Sequence, residues 1–175
     1  MPYKKVILFL LFQIVCWTSY SQDKSRAISY FGEISFGDCQ SISSEVKGNG
    51  LLAESTNGIL IKNKYFTGIQ IGYMYSLTNS YSFLTAGVDN KYKITNNSNK
   101  IVPFAALRIG GMFNVNKVDN AFTIAPAIGL EISNFVIRFA YQYLNGYSQV
   151  RENGKITNAP YHINSVCISL GVTFN

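Results

Sequence analysis

From residue 22 onward, apolar and polar side chains alternate with a period of two almost everywhere, and clusters of Asn, Gly, Ser and Asp interrupt the alternation at intervals. A period of two sends successive side chains to opposite faces of a strand. The clearest strand is 66–77, with Thr67, Ile69, Ile71, Tyr73, Tyr75 and Leu77 on one face and Phe66, Gly68, Gln70, Gly72, Met74 and Ser76 on the other. Segment 135–144 sets Phe135, Ile137, Phe139, Tyr141 and Tyr143 against Val136, Arg138, Ala140, Gln142 and Leu144. Segment 163–174 sets Val166, Ile168, Leu170, Val172 and Phe174 against Ser165, Cys167, Ser169, Gly171 and Thr173. The same reading gives strands at 121–132 (Phe122, Ile124, Ile128, Leu130, Ile132 outermost), 101–114 (Ile101, Leu107, Ile109, Phe113) and 27–37 (Ile28, Tyr30, Ile34, Phe36). Two weaker strands are 51–62, with Ala53, Ile59 and Ile61 on the apolar face, and 82–94, with Leu84, Ala86, Val88, Tyr92 and Ile94. No helical stripe and no internal repeat is found. Pro126 falls in mid-strand, where it cannot donate to a ladder, so a local bulge is expected there.

Eight strands of this length each suit a tilted bilayer crossing of about 9–11 residues. Short connections (Asn63-Lys64-Tyr65, 95–100, Ser133-Asn134) alternate with long ones (38–50 and 145–162), as when one barrel rim carries tight turns and the other carries loops. Alternation alone fits two barrels: a soluble one with its apolar face inward, and a membrane one with that face outward. Three observations favour the second. Every charge in the predicted strands lies opposite the apolar face: Glu33, Glu54, Lys62, Asp89, Lys91, Lys93, Arg108, Glu131 and Arg138. An Arg or Lys on a lipid face costs about 2–4 kcal/mol at the midplane. The charged face is also rich in Gly and Ala, which a solvated exterior does not need and a crowded interior does. Finally, Tyr30, Tyr73, Tyr75, Phe113, Phe122, Phe135, Tyr141, Tyr143 and Phe174 gather near strand ends on the apolar face, as aromatic girdles do at the two interfaces. The expected fold is all-β: a closed antiparallel eight-stranded up-and-down transmembrane barrel. Its charged interior should pair across the lumen, with Arg108 and Arg138 reaching some of Glu33, Glu54 and Glu131.

Composition sharpens this. Of 175 residues, 47% are apolar and only 14% charged, against roughly 25% charged in ordinary soluble domains. Yet the only long apolar run, Val6 to Trp17, has twelve residues broken by Gln13, and a membrane helix needs roughly 20. A polytopic helical protein and a disordered chain are both excluded. Lys4 and Lys5, the run itself and the small-x-small Ser19-Tyr20-Ser21 together read as a signal peptide over 1–21, leaving 22–175 as the barrel domain. A lipoprotein reading would use Cys16, but Gln13-Ile14-Val15 lacks the small residue it needs. The exported chain keeps thirteen basic and nine acidic residues, a net of +4 without a basic cluster, so no nucleic-acid partner is expected. Export leaves Cys39 and Cys167. An oxidising compartment permits a bridge, but the predicted strands put the two at different heights, so none is expected.

The chemistry is sparse. His162, the single histidine, reads as a solvated loop residue; a partnership with Ser148 or Ser165 has no motif behind it, so no catalysis is expected. Metal-ligand spacing, phosphate loops and nucleotide motifs are absent, so no cofactor is expected.

Four stretches resemble the small OmpA-like and opacity-type eight-stranded outer-membrane barrels of Gram-negative bacteria: Phe66-Thr67-Gly68-Ile69-Gln70-Ile71-Gly72-Tyr73, Pro103 to Gly111, Pro126-Ala127-Ile128-Gly129-Leu130-Glu131 and Ser169 to Asn175. The resemblance implies an outer-membrane location, lipid contact on the apolar face, and handling by periplasmic chaperones and the barrel-assembly machinery. It also implies an assembly signal in the last strand at Val166, Ile168, Leu170, Val172 and Phe174, here followed by Asn175. The family shares no catalytic residues. The expected role is therefore structural or surface-interactive, as a monomer with a charge-plugged lumen and with loops 38–50 and 145–162 carrying any contacts. A small porin-like pore and a secreted lipocalin-like binding barrel are the alternatives; the lipocalin signature tryptophan is absent, since Trp17 leaves with the signal.

Overall fold

A computed structural model describes residues 28–43, 48–78, 81–94, 101–115, 120–152 and 155–174, with the side chains of 148–152 and 155–158 outside the description. The expected leader, 1–21, also lies outside the described residues. The strands are β1 (Ile28–Ser41), β2 (Asn49–Ile61), β3 (Tyr65–Ser76), β4 (Ser82–Lys93), β5 (Ile101–Asn114), β6 (Asn120–Ile132), β7 (Phe135–Glu152) and β8 (Lys155–Phe174). Each pairs antiparallel with its sequence neighbour, and β8 returns to β1 to close the barrel. Closure removes the open sheet edges that hydrocarbon could not satisfy. Turns at 62–64 and 133–134 lie at one end, here the turn rim, where β1 begins and β8 ends. The other end is the loop rim.

The alternation becomes inside and outside as the pattern dictates. On β3, Ile69, Ile71, Tyr73 and Tyr75 are exposed on the outer surface while Phe66, Gln70 and Gly72 are buried in the lumen. Glycine makes the narrow interior feasible at specific points. A Cβ on Gly129 would lie 2.3 Å from the Phe104 ring, and one on Gly68 would lie 2.5 Å from the Phe66 ring. These two glycines leave the space in which the two lumen aromatics stand.

Five features depart from the sequence reading. First, 145–162 is not a loop. β7 and β8 pair without interruption from Phe135↔Val172 to Glu152↔Lys155, so the hairpin continues well past the barrel's other strands. Asn145-Gly146 looks like a turn, but Gly146 instead admits Tyr161, whose ring would stand 2.9 Å from an added Cβ. The sequence between the paired ends is Asn153-Gly154, the pair favoured by two-residue hairpins. Second, β1 runs to Ser41 and β2 starts at Asn49, shortening the first long connection. This brings Asp38 onto a strand, outward and exposed near the loop rim, so among the described residues the outer face of the strands is not free of charge after all.

Third, Lys62 is not in the lumen. It sits exposed in the β2–β3 turn with φ 50°, beside Asn63 at φ 56°. Strand phase ends one residue earlier, at Ile61. Fourth, Pro126 produces no bulge: β5 pairs through it (Leu107↔Pro126), and β6–β7 keeps one register on either side, merely lacking the pairs at Ala125 and Pro126. The missing N–H is absorbed as a gap in one ladder, with the ring exposed outside. Fifth, Cys39 and Cys167 are at the same height. They face each other across the β1–β8 seam with Cα atoms 4.0 Å apart and form a disulfide, against expectation. Ending the first strand at 37 concealed this pairing.

Candidate functional site

The lumen contains a charge network in two parts, a Lys93–Glu131 pair near the turn rim and a linked chain of six charged residues above it. From the turn rim upward, Lys93 on β4 meets Glu131 on β6 at 2.8 Å, and Lys91 on β4 meets Glu33 on β1 at 2.5 Å. Arg138 on β7 bridges Asp89 at 2.8 Å and Glu33 at 3.3 Å. Arg108 on β5 contacts Asp89 at 3.5 Å and donates a short hydrogen bond to Glu54 on β2. The amide of Gln70 on β3 donates to Glu54 at 3.0 Å and to Thr85 at 2.8 Å. Four cations thus face four carboxylates, and strands β1 to β7 each contribute to the network. Asp89 is the hub, fully buried and contacted by both arginines. Eight of the nine residues expected in the network are here; Lys62 is the exception. Asp89 as the shared partner was not foreseen, because sequence phase gives the face but not the neighbour across the lumen.

Aromatic rings sheathe the lower cations. Lys91 Nζ lies 4.9 Å from the Phe31 centroid, 4.6 Å from Phe104 and 5.9 Å from Phe66, and Lys93 Nζ lies 5.0 Å from Phe31. Both lysines are fully buried. A desolvated ammonium over a ring face gains about 2 kcal/mol, which helps offset its lost hydration. Phe31, Phe66 and Leu60 pack together beneath it. Beside the arginines a cavity of about 30 Å³ remains, lined by Glu54, Gln70, Arg108 and Arg138 among others.

Toward the loop rim the interior changes character. Met112, Ala121 and Leu144 form a buried cluster with Met74, Phe83, Tyr161 and Ile163 against it. These walls enclose a cavity of about 310 Å³ whose lining also includes Cys39, Gln142 and Ser165.

The outer surface is apolar around the whole circumference. Tyr30, Phe135 and Phe174 lie toward the turn rim, and Tyr73, Tyr75, Phe113, Phe122, Tyr141 and Tyr143 toward the loop rim. Between them stand exposed Ile69, Ile71, Val88, Ile109, Ile128, Phe139, Ile168 and Leu170. Three outward asparagines are each capped by a tyrosine hydroxyl: Asn57 by Tyr30 at 2.5 Å, Asn90 by Tyr65 at 2.8 Å and Asn164 by Tyr141 at 2.7 Å. Such caps spare a side-chain amide from meeting hydrocarbon unbonded. Val166, Ile168, Leu170, Val172 and Phe174 share this face on β8. His162 is also outward, hydrogen-bonded with Tyr143 at 3.1 Å, whereas Ser165 is buried in the lumen; the two do not meet. Ser148 lies outside the described side chains.

An ionic core inside an apolar belt is the inverse of a water-soluble protein, and it is stable with hydrocarbon outside. The chain has the fold of a small membrane-spanning eight-stranded barrel. Solved structures agree on that fold. Neisserial surface protein A (NspA) is 15% identical over 85% of this chain and 98% of its own, with a TM-score of 0.62. The N-terminal β-barrel domain of Pseudomonas aeruginosa OprF is 9% identical over 82% and 97%, with a TM-score of 0.51. The outer membrane protein AlkL, solved in lipid bilayers, is 8% identical over 90% and 94%, with a TM-score of 0.52. No protein-family model matches the chain, and no curated protein matches its sequence.

Proposed function

We propose that this chain is an integral outer-membrane barrel, exported by segment 1–21, whose lumen is closed by its own charges and whose role is structural or surface-interactive rather than catalytic. The observation that carries this is the six-contact ion network spanning the lumen. The 30 Å³ left beside it holds on the order of two waters, too little for a solute. The apolar belt meets lipid, with its tyrosines and phenylalanines at the two interfaces. The last-strand residues Val166, Ile168, Leu170, Val172 and Phe174 serve as the signal for periplasmic chaperones and the barrel-assembly machinery. The folded chain acts as a monomer and takes no cofactor.

Two measurements test it. Refolded protein in planar bilayers should give no single-channel steps; reproducible ohmic steps would replace the plugged barrel with a pore. In cells, the protein should fractionate with the outer membrane and show heat-modifiable gel migration. Recovery as a soluble species without detergent defeats the membrane reading.

A further inference from the structure

The cavity at the loop rim plays no part in the reading above. It measures about 310 Å³, within the range of about 300–1,000 Å³ typical of small-molecule sites. Its main walls are Met74, Phe83, Met112, Leu144, Tyr161 and Ile163, from strands β3, β4, β5, β7 and β8. Asn49, Ser76 and Asn114 supply polar groups nearest the rim, and Gln142 and Ser165 supply them deeper down. Among the described residues none in this lining carries a charge, whereas the next level of the same lumen holds Glu54, Arg108 and Arg138.

We propose that this chamber is a binding site for a small neutral amphipathic molecule: an apolar body of one or two rings, or a short chain, bearing a hydroxyl or amide. An apolar ligand regains the dispersion contacts that the empty walls lack. The two methionines suit such a role because their unbranched side chains fit irregular shapes. An ionised ligand would give up hydration in a chamber without a counter-charge. The separate polar groups near the rim and toward the floor give a hydroxyl or amide partners at either end. The site is independent of whether the lumen conducts, so conductance and ligand binding can fail separately.

The exported chain carries its own reporters. Of three methionines, Met1 lies in the expected signal segment, and Met74 and Met112 both line the chamber. Full-length exported protein with carbon-13 methionine methyls, held in lipid nanodiscs, is titrated with 2-naphthol and separately with naphthalene-2-sulfonate. Saturable shifts of both methyl signals are expected with naphthol, and binding at least about tenfold weaker with the sulfonate. Ser76→Phe and Asn114→Phe, which narrow the chamber from different strands, should each weaken naphthol binding by about tenfold or more. Heat-modifiable migration shows which variants are folded, and either folded variant suffices. Three results overturn the proposal: no saturable shift, equal response to the sulfonate, or naphthol binding that persists undiminished in a folded variant, which would mark simple partition into lipid.

Discussion

Below the level of Gln142 the lumen carries buried charges that each depend on another strand; above it, the lumen is mainly apolar and hollow. The same eight strands and the same alternation build both halves. In the lower half, Asp89 needs Arg138 and Arg108, and Arg138 needs Glu33, so a slip of one strand would strand a buried ion. In the upper half, Met74 and Phe83 pack without direction against the cluster of Met112, Ala121 and Leu144, and a shape error costs only contact area. Register and stability therefore belong to the ionic half. The apolar half is free to hold volume for something else.

The comparison can be broken from either side. The largest effect should come from Arg138→Leu, which leaves Asp89 and Glu33 short of a cation; a loss of about 3–5 kcal/mol is expected in urea unfolding followed by circular dichroism. Arg108→Leu should lose less, because its side chain is 13% exposed against 5% for Arg138. Unchanged stability in both variants would sink the assignment of stability to the network. Next is the disulfide at the boundary between the halves. Reduction, or paired Cys39→Ser and Cys167→Ser, should remove about 2–4 kcal/mol, seen as a lower heat-modification temperature with dithiothreitol than without. Phe104→Leu takes one ring from Lys91 and should cost about 1–2 kcal/mol by the same unfolding assay. The smallest change is expected in the upper half: Met112→Leu conserves volume beside a cavity and should cost under about 1 kcal/mol. A cost there matching Arg138→Leu would erase the distinction between the halves.

Much of this architecture is legible in residue order because a strand's two faces are a local property. Ile69, Ile71 and Tyr73 declare themselves outward and Gln70 and Gly72 inward without knowledge of any partner. What was hidden is non-local or depends on backbone angles. Lys62 keeps the strand phase, and nothing in a lysine signals the left-handed φ that ends β2 there. Gly146 follows an asparagine as a turn glycine would, yet it lies within β7 and makes room for Tyr161. The Cys39–Cys167 bond depends on how β8 meets β1, a register that no stretch of sequence contains. The partition of the lumen was equally out of reach, since it arises where seven strands converge.

That bond also changes the topology of the chain. Cys39 and Cys167 are separated by 128 positions, so strands β2 to β7 lie wholly within one covalent hoop, closed across the two terminal strands. The seam it crosses has ten paired positions, Gly32↔Phe174 to Ser41↔Ser165, the shortest of the eight ladders among the described residues. A barrel held by hydrogen bonds alone would part most easily there and open sideways toward lipid. This one is riveted at that point, where Cys39 also lines the hollow chamber, so the wall of the chamber is covalently closed at its weakest seam.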